Sequence, residues 1–291
     1  MDSGQGSANG RAAQRLRTVV ALAALAFASA AQAGPLHESV MRVPVVKDGE
    51  RASIDVTVYR PDGPGPFPIV VLSHGSPRSA AERRADGRQR MTAQSEPFVA
   101  LGFAVLVPTR RGYGDSEGEW AEGYGSCANP DYYAAGLESA RDIRAAVDAV
   151  RREPWADARH VILAGQSAGG FGSVAAASMP IEGLLGVINF AGGRGSLAPG
   201  QVCGESRLVE AMRRYGAAAH VPELWIYSAN DHFFAPELAR RMYRAYVDSG
   251  GAAQFVVAPP TGLDGHGYFA RAMQDWTPRV AAFLRRIGAL R

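Results

Sequence analysis

The sequence predicts an α/β protein whose mostly parallel sheet is covered by helices on both faces. From residue 67 onwards, short apolar runs alternate with segments that have the periodicity of amphipathic helices. The runs are apolar at consecutive positions, which is typical of strands buried on both sides, as in a parallel sheet. With 291 residues, of which 47% are hydrophobic, the chain has enough apolar material for one large core. A single α/β domain is therefore predicted.

The predicted sheet has eight strands and begins with an antiparallel hairpin. Residues 40–46 and 53–59 have strand composition, and the Lys-Asp-Gly-Glu sequence at residues 47–50 supplies the turn between them. Helices with one apolar face are predicted around residues 137–150, 238–247 and 276–287. The six later strands are predicted at residues 67–72, 103–107, 161–164, 186–190, 224–227 and 255–258.

The first 33 residues are predicted to be a signal peptide rather than part of the fold. A basic start with three arginines precedes an apolar stretch at residues 18–28 and an A-x-A cleavage pattern at residues 31–33. The apolar stretch is shorter than the roughly 20 residues of a spanning helix. An uncleaved membrane anchor is the alternative interpretation. The mature domain is predicted at residues 34–291, in the periplasm or outside the cell.

The net charge gives no indication of a nucleic-acid partner. The formal charge of +3 falls to +1 without residues 1–33, because three arginines and Asp2 lie there. The mature domain is therefore close to neutral, and we expect no nucleic-acid partner. No later segment is long and apolar enough to span a bilayer, so no membrane partner is expected after cleavage.

The chain has two cysteines, Cys127 and Cys203. An exported chain meets oxidising conditions, so an even pair predicts a disulfide. The two residues are too far apart in sequence for a C-x-x-C redox or zinc motif. Two separate buried thiols are the alternative.

A G-x-S-x-G motif at residues 165–169 is the strongest functional signal. It places Ser167 at a corner between a predicted strand and a segment of helical composition. Such a corner needs small neighbours and holds the serine in a strained conformation, with its hydroxyl above the sheet. In a chain with 34 glycines the motif alone is weak, and a glycine-rich turn with a solvated serine is the alternative. The flanking strand and helix favour a nucleophile.

A serine nucleophile needs a base and a group that orients the base. His266 follows the last predicted strand and is flanked by glycines, so we predict that it is the base. Asp231 follows the strand at residues 224–227 and is the preferred acid. Asp264 is the rival, but a carboxylate two residues away on the same loop rarely points back at the ring.

Two backbone N–H groups are predicted to form the oxyanion hole. One is that of Ala168, directly after the serine. The other is that of Ser76, in the Ser-His-Gly-Ser sequence that follows the strand at residues 67–72. Each such donor typically stabilises a transition state by about 3 kcal/mol. His74 in this sequence is predicted to be structural rather than catalytic.

Together these motifs resemble the α/β-hydrolase superfamily, and within it the dienelactone-hydrolase-like and prolyl-oligopeptidase-like serine hydrolases. The resemblance spans about residues 50–290. It implies the α/β-hydrolase fold and a catalytic triad of Ser167, Asp231 and His266. Dienelactone hydrolases proper use a cysteine nucleophile, so lactone specificity is not implied. No propeller domain is present to restrict access as in the oligopeptidases. The resemblance rests on His74-Gly75, residues 111–114, residues 165–170, Asp231 and Gly265-His266.

Two long connections, at residues 109–131 and 191–205, leave the carboxyl ends of strands, where open α/β sheets bind ligands. Each holds one cysteine, so a bridge would join two segments over the pocket. Three loop arginines could favour a carboxylate-bearing substrate or simply be solvated: Arg78, Arg111 and Arg194. Five aromatic residues could line an acyl site or pack the loops: Tyr113, Trp120, Tyr124, Phe233 and Phe234.

The predicted function is that of an exported serine hydrolase that cleaves a small carboxylic ester through an acyl-enzyme. This chemistry needs no cofactor, and the sequence has no metal-ligand spacing. A serine peptidase or amidase of the same fold is the second interpretation. A non-catalytic binding protein of the same fold is the third.

Overall fold

The computed structural model of the chain describes residues 36–290. The predicted signal peptide at residues 1–33 lies outside this range. The strands are β1 (Ser39–Lys47), β2 (Glu50–Tyr59), β3 (Phe67–Ser73), β4 (Ala104–Pro108), β5 (Ala156–Gln166), β6 (Leu184–Phe190), β7 (Ser196–Ala198), β8 (Gln201–Val202), β9 (Glu223–Ser228) and β10 (Ala253–Ala258). The helices are α1 (Ala80–Ala85), α2 (Thr92–Ala100), α3 (Tyr132–Val150), α4 (Ala168–Ala177), α5 (Glu205–Gly216), α6 (Pro236–Asp248), α7 (Tyr268–Arg271) and α8 (Met273–Arg286).

Eight of the strands form one sheet in the order β1-β2-β4-β3-β5-β6-β9-β10. The pairs β1–β2 and β2–β4 are antiparallel, and all other neighbours are parallel. The prediction of a mostly parallel eight-stranded sheet with an N-terminal hairpin is confirmed. The short ribbon of β7 and β8 was not predicted, because its strands have three and two residues and no apolar run.

The hairpin turn shows how local sequence sets the register. Asp48 and Gly49 have φ values of 50° and 86°, so both central residues of the turn are left-handed. A turn of this kind matches the twist of the flanking strands. It pairs Lys47 with Glu50, and the ladder runs on to Ser39 opposite Val58.

The sheet separates two hydrophobic cores, and side chains of β5 pack into both of them. Val161 and Leu163 belong to one core, and Ile162 and Ala164 belong to the other. This alternation follows from the two-residue period of a strand. Helices α3, α4, α5 and α6 contribute to the first core, and α2, α7 and α8 contribute to the second. Helices on both faces are thus confirmed. Within residues 36–290, no helix has the length and apolarity to cross a membrane.

One buried carboxyl group makes the free energy of unfolding depend on pH. Glu223 begins β9 and is 1% exposed. Trp225 Nε1 donates a 2.5 Å hydrogen bond to its Oε2, while Oε1 has no partner among the described residues. Burial raises the pKa of Glu223 from 4.5 to about 8. The folded protein therefore holds a proton here that the unfolded chain loses above its lower pKa.

This predicts that the Glu223 contribution to the free energy of unfolding is fully present below about pH 4.5 and is lost as pH rises towards 8. Between these values the slope approaches about 1.4 kcal/mol per pH unit. The E223Q substitution keeps a neutral side chain of the same shape, so it should remove this part of the dependence. Urea unfolding of both proteins between pH 5 and 8 measures the difference. The exposed E237Q variant is the control, and an equal pH slope in wild type and E223Q would contradict the assignment.

Candidate active site

Ser167 lies on a strained turn between β5 and α4. Its backbone has φ 57° and ψ −123°, a combination that costs energy in any residue other than glycine. The two motif glycines are required by crowding. A Cβ added to Gly165 would lie 2.5 Å from the backbone of Gly169, and one added to Gly169 would lie 2.1 Å from the Ser73 carbonyl oxygen. The structure therefore has the tight corner that the motif predicts.

His266 and Asp231 come together across 35 residues of sequence. His266 Nδ1 is 3.1 Å from Asp231 Oδ2. The other carboxylate oxygen of Asp231 accepts backbone N–H bonds from Phe233 at 2.8 Å and Phe234 at 3.0 Å, which fixes the carboxylate against the imidazole. Asp264 instead accepts a bond from the backbone N–H of His266 at 2.9 Å. The carboxylate of Asp264 holds the turn rather than the ring.

Ser167 and His266 line one cavity of about 530 Å³ at the carboxyl edge of the sheet. Four of the five predicted aromatic residues border it, namely Trp120, Tyr124, Phe233 and Phe234. Phe233 stacks on the His266 ring with a centroid separation of 4.4 Å. The fifth, Tyr113, is buried behind the wall and bonds to polar groups there.

The predicted oxyanion donors also border this cavity. Ala168 is the first residue of α4, so its N–H has no acceptor within the helix. Ser76 lies on the loop after β3. That loop runs beside the serine, since a Cβ added to Gly75 would be 3.5 Å from Ser167 Cβ.

His74 fixes the orientation of this loop. The backbone N–H of Arg110 donates to His74 Nε2 at 3.3 Å, so the ring proton is on Nδ1. Nδ1 in turn donates to the Gly75 carbonyl at 2.7 Å. Burial and the nearby Arg110 charge lower the pKa of His74 well below its ordinary value, so the ring is neutral. The Gly75 carbonyl and the Ser76 N–H share one planar peptide unit and point in opposite directions. The structural role predicted for His74 is thus to orient that N–H group.

A buried carboxylate that sequence reasoning missed ties the cavity walls together. The Glu122 side chain is fully buried and forms ion pairs with Arg110 and Arg194, the latter at 2.7 Å. Tyr113 donates its hydroxyl to the same carboxylate at 2.8 Å. Arg110 in turn donates to the His74 carbonyl at 2.7 Å. Burial alone would raise the pKa of Glu122, but the two arginines outweigh it and lower the pKa below its ordinary range.

The three arginines singled out in the sequence have different positions. Arg78 and Arg194 line the cavity. Arg111 does not, because its guanidinium is paired with Asp142 at 2.6 Å and with Glu138 at 2.9 Å. The interpretation in which Arg111 contacts a substrate in the pocket is therefore wrong.

Cys127 and Cys203 form a disulfide, as the sequence predicts. It joins the connection after β4 to the connection after β6. The first connection reaches the cavity through Tyr124 and the second through Leu197. Within residues 36–290, no three His, Cys, Asp or Glu side chains are grouped so that they could hold a metal ion.

Replacing Glu122 by glutamine should destabilise the fold strongly. The substitution leaves Arg110 and Arg194 buried without a compensating charge, and breaking a buried ion pair in this way costs about 3–5 kcal/mol. Urea unfolding of E122Q measures the loss of unfolding free energy. The exposed E117Q variant, which also loses an ion pair with an arginine, should change it by less than about 1 kcal/mol. Equal effects of the two substitutions would contradict this account.

Removing the disulfide should also lower stability. The bridge closes a loop of 76 residues, for which chain entropy gives about 4 kcal/mol. The C127S/C203S variant, compared with wild type with and without reductant, measures this loss. Reductant should destabilise the wild type only. An unfolding free energy that is unchanged by the double substitution and by reductant would contradict the prediction.

The fold is similar to those of known peptidases and esterases. An acylaminoacyl peptidase of Pyrococcus horikoshii matches with a TM-score of 0.61 and 17% identity, over 88% of this chain and 42% of that one. The esterase Pf2001 of Pyrococcus furiosus matches with a TM-score of 0.58 and 15% identity, over 86% of this chain and 90% of that one. At such identities the likeness shows the α/β-hydrolase fold.

Sequence comparison adds a curated relative and a family. The quorum-quenching protein AidA of Acinetobacter baumannii (strain MDR-ZJ06) is 30% identical over 142 residues, which is 49% of this chain and 41% of that protein. The chain thus matches less than half the length of this relative. Residues 48–218, more than half of the chain, match the model of the X-Pro dipeptidyl-peptidase (S15 family). The chain therefore belongs to the X-Pro dipeptidyl-peptidase (S15) family and has the α/β-hydrolase fold.

Proposed function

We propose that this protein is an exported serine hydrolase that cleaves a carboxylic ester through an acyl-enzyme on Ser167. The observation that carries the proposal is that Ser167 and His266 line one cavity and that Asp231 is bonded to the imidazole. Ser167 is on a strained turn, His266 lines the same space, and Asp231 holds the far side of the imidazole at 3.1 Å. This arrangement is the one that activates a serine hydroxyl.

In the proposed mechanism, Ser167 Oγ attacks the ester carbonyl while His266 Nε2 takes its proton. Asp231 accepts the Nδ1–H bond and stabilises the imidazolium. The N–H groups of Ala168 and Ser76 bind the developing oxyanion. When the tetrahedral intermediate collapses, the alkoxide leaves with the proton from His266, and an acyl-enzyme remains. Water then attacks the acyl carbon, gives its proton to His266, and the acid is released as Ser167 recovers its proton.

An ester is favoured over the substrate of a dipeptidyl peptidase by the composition of the cavity wall. A dipeptidyl peptidase binds a free amino terminus, for which carboxylates are the natural partners. Among the described residues, the only carboxylate that lines the cavity is Glu82. That group is exposed and accepts bonds from the backbone N–H of Ser79 at 3.1 Å and from its hydroxyl at 2.8 Å.

A serine peptidase or amidase is the second candidate. It is favoured because the family is that of an X-Pro dipeptidyl-peptidase and because the acylaminoacyl peptidase of Pyrococcus horikoshii has a similar fold. The two candidates differ in the leaving group that the site can release. Rates on a 4-nitrophenyl ester and on the 4-nitroanilide with the same acyl group separate them. Hydrolysis of the ester alone supports the proposal.

The export part of the proposal rests on the N-terminal sequence and on the disulfide. N-terminal sequencing of the protein secreted by a bacterial host should begin near Gly34. Retention of residues 1–33 in a membrane fraction would instead support the uncleaved anchor.

The catalytic assignment predicts that a fluorophosphonate probe labels Ser167 and that S167A abolishes labelling. Loss of the nucleophile should lower kcat by at least about 10⁴-fold, and D231N should lower it by about 10³-fold to 10⁴-fold. Peptide mass spectrometry locates the label, and S126A, at an exposed loop serine, is the control. Folded protein that does not react at Ser167 would favour the non-catalytic binding protein.

A further inference from the structure

The cavity wall carries arginines whose charges are not matched by carboxylates. Arg78, Arg83 and Arg194 line the cavity, against the single carboxylate of Glu82 among the described lining residues. Both Arg78 and Arg83 belong to the segment that follows the proposed oxyanion donor Ser76. Neither has a carboxylate oxygen within 4.0 Å among residues 36–290.

Arg83 is the more informative of the two because it is only 7% exposed. Its Nη1 donates to the backbone carbonyls of Pro77 at 3.4 Å and Arg78 at 3.0 Å. Its guanidinium carbon lies 3.8 Å from the centroid of the Trp120 ring. No hydrogen bond involves Nε or Nη2 among the described residues. Burial of a cation without a counter-charge is unfavourable, so an anion in the cavity would recover part of that cost.

Arg78 spans the cavity from one wall to the other. Its Nε donates to the Ser196 carbonyl at 3.2 Å, and its guanidinium carbon lies 4.9 Å from the centroid of the Phe233 ring. The same ring stacks on His266 at 4.4 Å. The guanidinium and the proposed catalytic base thus contact the same aromatic ring, and the two Nη groups of Arg78 make no hydrogen bond to the described residues.

The neighbouring charged groups do not neutralise this wall. Glu82 is exposed and committed to Ser79. Arg194 shares the single carboxylate of Glu122 with Arg110, so that buried group carries one excess positive charge. Asp231 is already paired with His266.

We propose that the segment with Arg78 and Arg83 selects substrates that carry a carboxylate and disfavours those that carry an ammonium group. This inference rests on the proposed hydrolysis at Ser167 and names its substrate class. It also separates this chain from the activity in the family's description, because the substrate of a dipeptidyl peptidase presents a free amino terminus. The carboxylate would accept hydrogen bonds from Arg83 Nε and Nη2 and from the Nη groups of Arg78.

Three 4-nitrophenyl esters with acyl chains of similar length test the charge preference. They are the hemi-ester of adipic acid (anionic), the heptanoate (neutral) and the 6-aminohexanoate (cationic). After subtraction of spontaneous hydrolysis, kcat/KM should be at least about tenfold higher for the anionic than for the neutral ester, and lowest for the cationic ester. Inhibition of heptanoate hydrolysis by adipate, with 1,6-hexanediol as the neutral counterpart, gives a second readout. Adipate should inhibit competitively, and the diol should not.

Variants of the exposed Arg78 connect the preference to this wall. R78Q should lower the anionic-to-neutral ratio of kcat/KM about fivefold or more. R78K keeps the charge and should retain most of the ratio. R240Q, on α6 and outside the cavity lining, changes the net charge equally and should have no effect.

The two proposals fail in different ways. If Ser167 is not a nucleophile, none of the three esters is turned over and the fluorophosphonate does not label it. If all three esters are hydrolysed in a Ser167-dependent manner but the heptanoate is as good a substrate as the adipate ester, the anion preference is overturned. The same holds if R78Q and R240Q change the ratio equally.

Discussion

The structure of the site depends on one close packing contact, where the start of α4 meets the end of β3. Gly169 lies so near the Ser73 carbonyl that no side chain fits between them, and Gly165 is equally close to Gly169. This contact places the first turn of α4 directly over the sheet edge. It requires Ser167 to adopt a positive φ angle, which the packing of the buried strand and helix around it stabilises.

A second layer of polar contacts orients the groups around that turn. The peptide planes of the loop after β3 are set by hydrogen bonds from His74 and Arg110. Arg110 is oriented by Glu122, which also holds Arg194 next to Gly193. The Gly193 N–H donates to the Ser167 carbonyl at 3.2 Å. One buried carboxylate thus connects the loops on both sides of the serine, and a low local dielectric makes each of these contacts strong.

The sequence predicted the parts of the molecule that local pattern determines. Continuous apolar runs identified the six later strands of the main sheet, and strand composition with the turn residues Asp48 and Gly49 identified the two strands of the hairpin. Strand order, the early start of β5 at Ala156 and the ribbon of β7 and β8 depend on pairing between distant segments, for which single-sequence periodicity has no signal. In the site, glycine spacing predicted the turn at Ser167. Asp231 was preferred because it follows a strand, whereas Asp264 lies only two residues from His266 on the same loop. Glu122 was missed and Arg111 was misplaced, because the partner of a charged loop residue is decided by tertiary contacts.

We propose that Ser167, His266 and two backbone N–H groups act together on one carbonyl. A crystal structure of the protein inactivated by an alkyl phosphonate tests it most directly, because the adduct mimics the tetrahedral intermediate. Phosphorus should be bonded to Ser167 Oγ, with the phosphoryl oxygen about 2.7–3.1 Å from the backbone nitrogens of Ser76 and Ala168 and with His266 Nε2 beside Oγ. A phosphoryl oxygen directed away from both nitrogens, or an adduct on another residue, would contradict it.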